Sequence, residues 1–73
     1  MNEYRLYISG TDDLVDAIDT NTETNVQSFD DAANIMSYNG IDKDYIYDLV
    51  DMVSGKSVIV AFSSYPGVYE IMY

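Results

Sequence analysis

Nothing in this chain can cross-link it. Its 73 residues include no cysteine and no histidine, which excludes disulfides, zinc knots, haem and iron–sulfur ligation, a thiol nucleophile and an imidazole base. The fold must be held by an apolar core alone, in a chain long enough for a single domain spanning 1–73. Apolar side chains make up 48% of the sequence, enough to build that core and to argue against disorder. A secreted domain this small would ordinarily carry disulfides, so a cytoplasmic location is expected. The first residues hold neither the basic region nor the apolar run of a signal peptide. The longest apolar run, Val58 to Phe62, is too short to span a bilayer, so no membrane is expected.

Hydrophobic periodicity then sets the elements. Glu3 to Ser9 alternates, with Tyr4, Leu6 and Ile8 on one face, as a half-buried strand does. Thr11 reads as the N-cap of a short helix with Leu14, Ala17 and Ile18 inward. Asp19 to Gln27 is polar and reads as a loop. Ser28 caps a second helix, where Phe29, Ala32, Ala33 and Met36 recur at helical spacing and Asp31 completes a capping box. Asp42 opens a third helix running to about Val53, with Tyr45, Ile46, Leu49, Val50 and Val53 as its apolar stripe. Lys56 to Ser63 and Val68 to Tyr73 read as strands joined through Pro66-Gly67, the order a type II turn requires. The expected fold is α+β: a small three-stranded antiparallel sheet with two or three helices packed on one face, order β-α-α-α-β-β. Strand 1 would lie beside the C-terminal hairpin, and Tyr7, Tyr69 and Tyr73 would show on the opposite sheet face.

Thirteen acids face three bases, a formal charge of −10. That balance argues against direct binding to nucleic acid or anionic lipid and favours an electropositive partner. Helix N-termini account for six of the acids by capping and macrodipole. On a helix, Asp12, Asp16 and Asp19 would form one stripe, and Asp44, Asp48 and Asp51 another. Five like-charged pairs at this spacing would cost about 0.2–0.5 kcal/mol each. The stripe carboxylates would stand about 6 Å apart, one helical turn, which is comparable to the phosphate interval along a DNA strand. The chain is therefore expected to mimic nucleic acid without catalysis, occupying a Lys/Arg channel built for a nucleic-acid backbone. Those six aspartates, with Tyr47 beside them as an exposed anchor, would meet the channel. Changing Asp48 and Asp51 to lysine is expected to raise or preserve stability while abolishing inhibition.

A tiny acidic chain, free of Cys and His and rich in Asp and Tyr, resembles the nucleic-acid-mimicking inhibitors of phages and mobile elements. These include anti-CRISPR proteins, ArdA-type antirestriction proteins and uracil-DNA glycosylase inhibitors. The tail Gly67-Val68-Tyr69-Glu70-Ile71-Met72-Tyr73 is reminiscent of the terminal strand of some ArdA-type proteins. The resemblance implies a protein partner, a CRISPR effector nuclease or a restriction enzyme of the host cell, with no cofactor.

Three other readings stay open. Asp19, Asn21, Glu23, Asn25, Gln27 and Asp30 fall at ligand positions of an EF-hand-like frame over residues 19–30, although Thr24 stands where the turn wants Gly. An acidic regulatory module binding a basic protein without displacing nucleic acid is the second. Catalysis by a carboxylate pair, the third, needs a walled pocket that one thin core does not supply, so no enzyme is expected. Tyr4, Tyr45 and Tyr69 are assigned to the core, and Tyr7, Tyr38, Tyr47, Tyr65 and Tyr73 to the surface. The terminal strand, with few neighbours, admits edge-to-edge pairing into a homodimer.

Overall fold

The computed structural model describes residues 2–73. Five strands, β1 (Glu3–Ile8), β2 (Leu14–Asp19), β3 (Ile46–Asp51), β4 (Ser57–Phe62) and β5 (Tyr69–Met72), form one antiparallel sheet in the order β2-β1-β3-β4-β5. A single helix, α1 (Phe29–Met36), joins β2 to β3 and packs on one face. The three-stranded sheet with two or three helices is thus corrected to five strands and one helix. Strand β3 is central, and it separates β1 from the C-terminal hairpin.

The correction has a physical cause. The segment Ile46–Asp51 (IYDLVD) satisfies both periods: Leu49, Val50 and Val53 make a helical stripe, while Tyr47 and Leu49 alternate inward as in a strand. The pairing partners decide. Leu49 stands opposite Leu6 on β1 and Val58 on β4, and both leucines are wholly buried. A helix there would have left Tyr45 and Val53 to do the burying, yet both are exposed. The capping signals misled for a related reason, since Thr and Asp side chains bond nearby backbone in turns as readily as at helix starts. Thr11 Oγ1 accepts from Asp13 N at 3.1 Å in the β1–β2 turn, and Asp42 Oδ1 accepts from Asp44 N at 2.8 Å before β3.

Helix α1 forms where Ser28 caps it. Ser28 Oγ accepts from Asp31 N at 3.1 Å, and Asp31 Oδ2 accepts from Gln27 N at 2.9 Å. Ala32, Ala33 and Met36 on its inner face are fully buried against Leu6, Leu49 and Val60. Two alanines let the short helix approach the sheet closely. The Pro66-Gly67 turn is also as expected: Val68 N donates to Tyr65 O at 3.2 Å, and Gly67 has φ +80°, the left-handed value a type II turn needs. A Cβ on Gly67 would also lie 3.1 Å from the hydroxyl of the exposed Tyr38, a tight contact that the tyrosine would have to yield to.

Among the described residues no element covers the opposite sheet face. Cross-strand partners share a face, and the registers give one complete row across all five strands: Leu14–Tyr7–Asp48–Ile59–Met72. Tyr7 lies there as expected, but Tyr69 pairs with Phe62 on the helix side, which corrects its placement.

Candidate protein-interaction surface

A strand's twofold period scatters the acids that a helix would have aligned. Residues three apart on a strand face opposite ways. Asp48, between Tyr7 and Ile59, is on the open face, whereas Asp51, opposite Tyr4, is on the helix side. Asp19 pairs with Glu3 on the open face, and Asp16, opposite Leu6, is on the helix side. Asp12 and Asp44 belong to loops at the end of the sheet where β1 turns and β3 begins. Neither carboxylate row exists.

The acids form two rims instead. Asp12, Asp13, Asp42 and Asp44 crowd the end at the β1–β2 turn. Glu3, Asp19, Glu23 and Asp51 lie at the other, with Asp30 and Asp31 at the start of α1. Among the described residues no charged side chain is buried, and the ion pairs are Arg5 with Glu3 and Lys43 with Asp44. A six-residue strand separates the rims by about 17 Å.

Most of the stripe aspartates hold turns and loops together. Asp16 accepts from Ala17 N and from Asn39 Nδ2, both at 2.8 Å. Asp19 accepts from Asn21 N at 2.8 Å, and Asp51 from Val53 N at 3.0 Å and Ser54 Oγ at 3.1 Å. Asp48 accepts from Ser9 Oγ at 3.1 Å and Gly10 N at 3.2 Å, tying the β1–β2 turn to the centre of the sheet. The expected tolerance of lysine at Asp48 and Asp51 is therefore corrected. Lysine offers no acceptor, and losing these bonds costs about 1–2 kcal/mol per site. By contrast, the side chains of Asp12, Asp13, Glu23 and Glu70 accept no hydrogen bond from the described residues.

Tyr47 is no surface anchor. It is 1% exposed, its ring stands edge-on to Phe62 at 5.7 Å, and its hydroxyl donates to Asp42 O at 2.6 Å. Its period-2 place between Ile46 and Asp48 marks it as inward once β3 is read as a strand. Tyr45, assigned to the core, is half exposed. Around the helix start, the Tyr69 and Tyr73 hydroxyls both lie at 3.1 Å from Asp30 oxygens and donate to them.

These surroundings raise the pKa of Tyr4, Tyr47, Tyr69 and Tyr73 above the ordinary 10.0, through burial first and neighbouring carboxylates second. The folded chain then keeps phenolic protons that the unfolded chain has lost, so stability is intact below about pH 10 and falls as pH rises through the folded values. Melting curves should show a lower Tm at about pH 11 than at about pH 8, with a shallower fall in Tyr47→Phe.

The calcium frame does not converge. Asp19 and Asp30 are engaged in the local bonds above, and no group of three acids among the described residues could hold a metal ion. A shallow depression of about 310 Å³ between β4 and β5, lined by Ala61, Phe62, Ser63, Val68, Tyr69 and Glu70, opens widely to solvent. Among the described residues no helix is long and apolar enough to cross a membrane. The surface features left to explain are the two acidic rims and the uncovered sheet face between them. Comparison with protein-family models, with curated proteins and with solved structures finds no match.

The open-face row escaped the sequence reading because two of its five strands were taken for helices. Its signal is present, though: Ile46, Asp48 and Val50 alternate with Tyr47 and Leu49.

Proposed function

We propose that this chain is a non-catalytic inhibitor that presents itself as a polyanion to the nucleic-acid groove of a host nuclease, of the anti-CRISPR or antirestriction type, in the cytoplasm of the host cell. One observation carries the reading. The bonds made by Asp16, Asp19, Asp42, Asp48 and Asp51 need an oxygen acceptor, and asparagine or serine supplies one as well in such turns. The chain itself uses Ser54 and Ser63 in this way, accepting from Lys56 N and Tyr65 N. Folding thus asks for the oxygens and not for the charge. Two negative rims flanking a less charged band also share the pattern of a DNA groove, where phosphate rows flank a band about 12 Å wide.

Nuclease inhibition measured against added duplex DNA tests the proposal. Inhibition should fade as unlabelled duplex is raised, and the apparent affinity should drop steeply with salt, as it does for the phosphate backbone. A complex that still takes up duplex at full affinity would overturn the mimicry. It would favour the second reading, an acidic module on a basic protein, for which the uncovered sheet face speaks.

A further inference from the structure

We propose that the open face of the sheet is a docking site for a basic amphipathic helix of a partner protein. A sheet ordinarily buries both apolar faces or keeps one polar. Here the helix side is covered by α1, while the other side shows Leu14, Ile59 and Met72 with relative exposures of 55%, 38% and 40%. They lie on the row Leu14–Tyr7–Asp48–Ile59–Met72, and Ile46, 51% exposed, stands beside it. The row runs across the strands. Five strands about 4.8 Å apart make it about 19 Å long, the length of about 13 residues of α-helix.

Charge selects the occupant. Asp48 sits at the middle of the row on the central strand, half-buried and flanked by Tyr7 and Ile59. Its two oxygens accept from Ser9 Oγ and Gly10 N of the β1–β2 turn, and each oxygen keeps a lone pair for a further donor. The carboxylate is thus fixed in place before any partner arrives. Glu70 lies at one side of the face, and Glu3 and Asp19 close one end, where Arg5, a base on this same face beside Tyr7, pairs with Glu3 and leaves Asp19 and Glu70 as the marginal charge. An apolar strip with a fixed carboxylate at its centre and acids at its margin fits a helix with leucine-like side chains on one face, an Arg or Lys within that face, and further bases outside it. A second copy of this chain fits badly. A twofold contact would bring Asp48 near its own mate and press together two bodies of −10. The inference is independent of the groove reading, since it rests on the face and not on the overall charge.

The probe is a synthetic peptide of about 14 residues, with leucines at i, i+3, i+4 and i+7, one central arginine within that face and further arginines flanking it. Its control is the same composition permuted so that no apolar face forms. Binding is followed through amide chemical shifts of the full chain. The amphipathic peptide should bind at least about tenfold tighter than the permuted one, with the largest shifts at Tyr7, Asp48 and Ile59. Ile59→Glu should weaken the amphipathic peptide by about tenfold or more and the permuted one little. Asp48→Asn, which keeps an acceptor for Gly10, should weaken it several-fold while leaving Tm unchanged, and should also shrink its advantage over a version with glutamine in place of the central arginine. Equal binding of both peptides, shifts that follow the acidic rims and spare the row, or a free protein already dimeric through this face would each overturn the proposal. Loss of DNA competition in the nuclease assay with peptide docking intact would overturn the groove reading and leave this one standing.

Discussion

Leu49→Ala should strip the chain of much of its stability. Leu49 is fully buried at the centre of β3, opposite Leu6 and Val58 and within the same cluster as Met36. Truncation of a buried leucine removes the transfer free energy of its methyls and leaves a cavity, together about 2–5 kcal/mol. A chain of this length has about 4–11 kcal/mol in all, so the loss runs from about a fifth of the total to all of it. At about 4–8 °C per kcal/mol, the melting midpoint should fall by about 8–40 °C. Leu14→Ala is the matched control. Its side chain is 55% exposed on the open face, and its removal should change stability by no more than about 0.5 kcal/mol. Thermal melts of the two variants check the contrast, and similar midpoints would count against the assignment of faces.

The second large effect concerns charge. Asp12→Lys, Asp13→Lys and Asp44→Lys together change the net charge by six, from −10 to −4. All three lie on one rim, and none anchors the backbone through its side chain. Asp12 and Asp13 accept no hydrogen bond there, and Asp44 has only its exposed pair with Lys43 at 3.7 Å. The triple variant should therefore melt within a few degrees of the parent. On the proposed inhibition of a nuclease, its affinity for the cationic groove should fall by about 100-fold or more, as expected if three charged contacts of about 1 kcal/mol or more turn repulsive. Titration of nuclease activity gives the number. Undiminished inhibition by a well-folded triple variant would remove this rim from the interface.

The choice of these three positions, rather than Asp48 and Asp51, shows how far the sequence could be read. Strands β1, β4 and β5 were legible because β1 alternates, β4 is a short β-branched apolar run, and β5 follows it across the Pro66-Gly67 turn. Helix α1 was legible because Ser28 and Asp31 cap a run whose small residues suit close packing. Strands β2 and β3 were not. In β3 the two periods coincide on the same apolar residues, and only the partner strands, far away in sequence, select between them. In β2 a bulge between its contacts with Leu6 and Tyr7 breaks the alternation, and Ile18 alone is buried. Strand β2 therefore announces itself weakly. The site inherited the same fault: six aspartates read as two rows became turn acceptors and separate rims, and Tyr47 moved from surface to core. The acidity itself needed no fold to be seen.

The β1–β3 pairing at the middle of the sheet joins Leu6 to Leu49, across the whole span that holds β2 and α1. Contacts so distant along the chain must wait for a long loop to close, which slows folding relative to a helical bundle of equal size. During synthesis the β1–β2 hairpin has no inner neighbour until β3 has left the ribosome, and its leucine and tyrosines stay wet meanwhile. A chain arrested before Asp51 is accordingly a nascent polypeptide with half a sheet, exposed to proteases and chaperones. Maturation of this domain is therefore expected to be all or nothing, completed only once β3 and the hairpin after it have emerged.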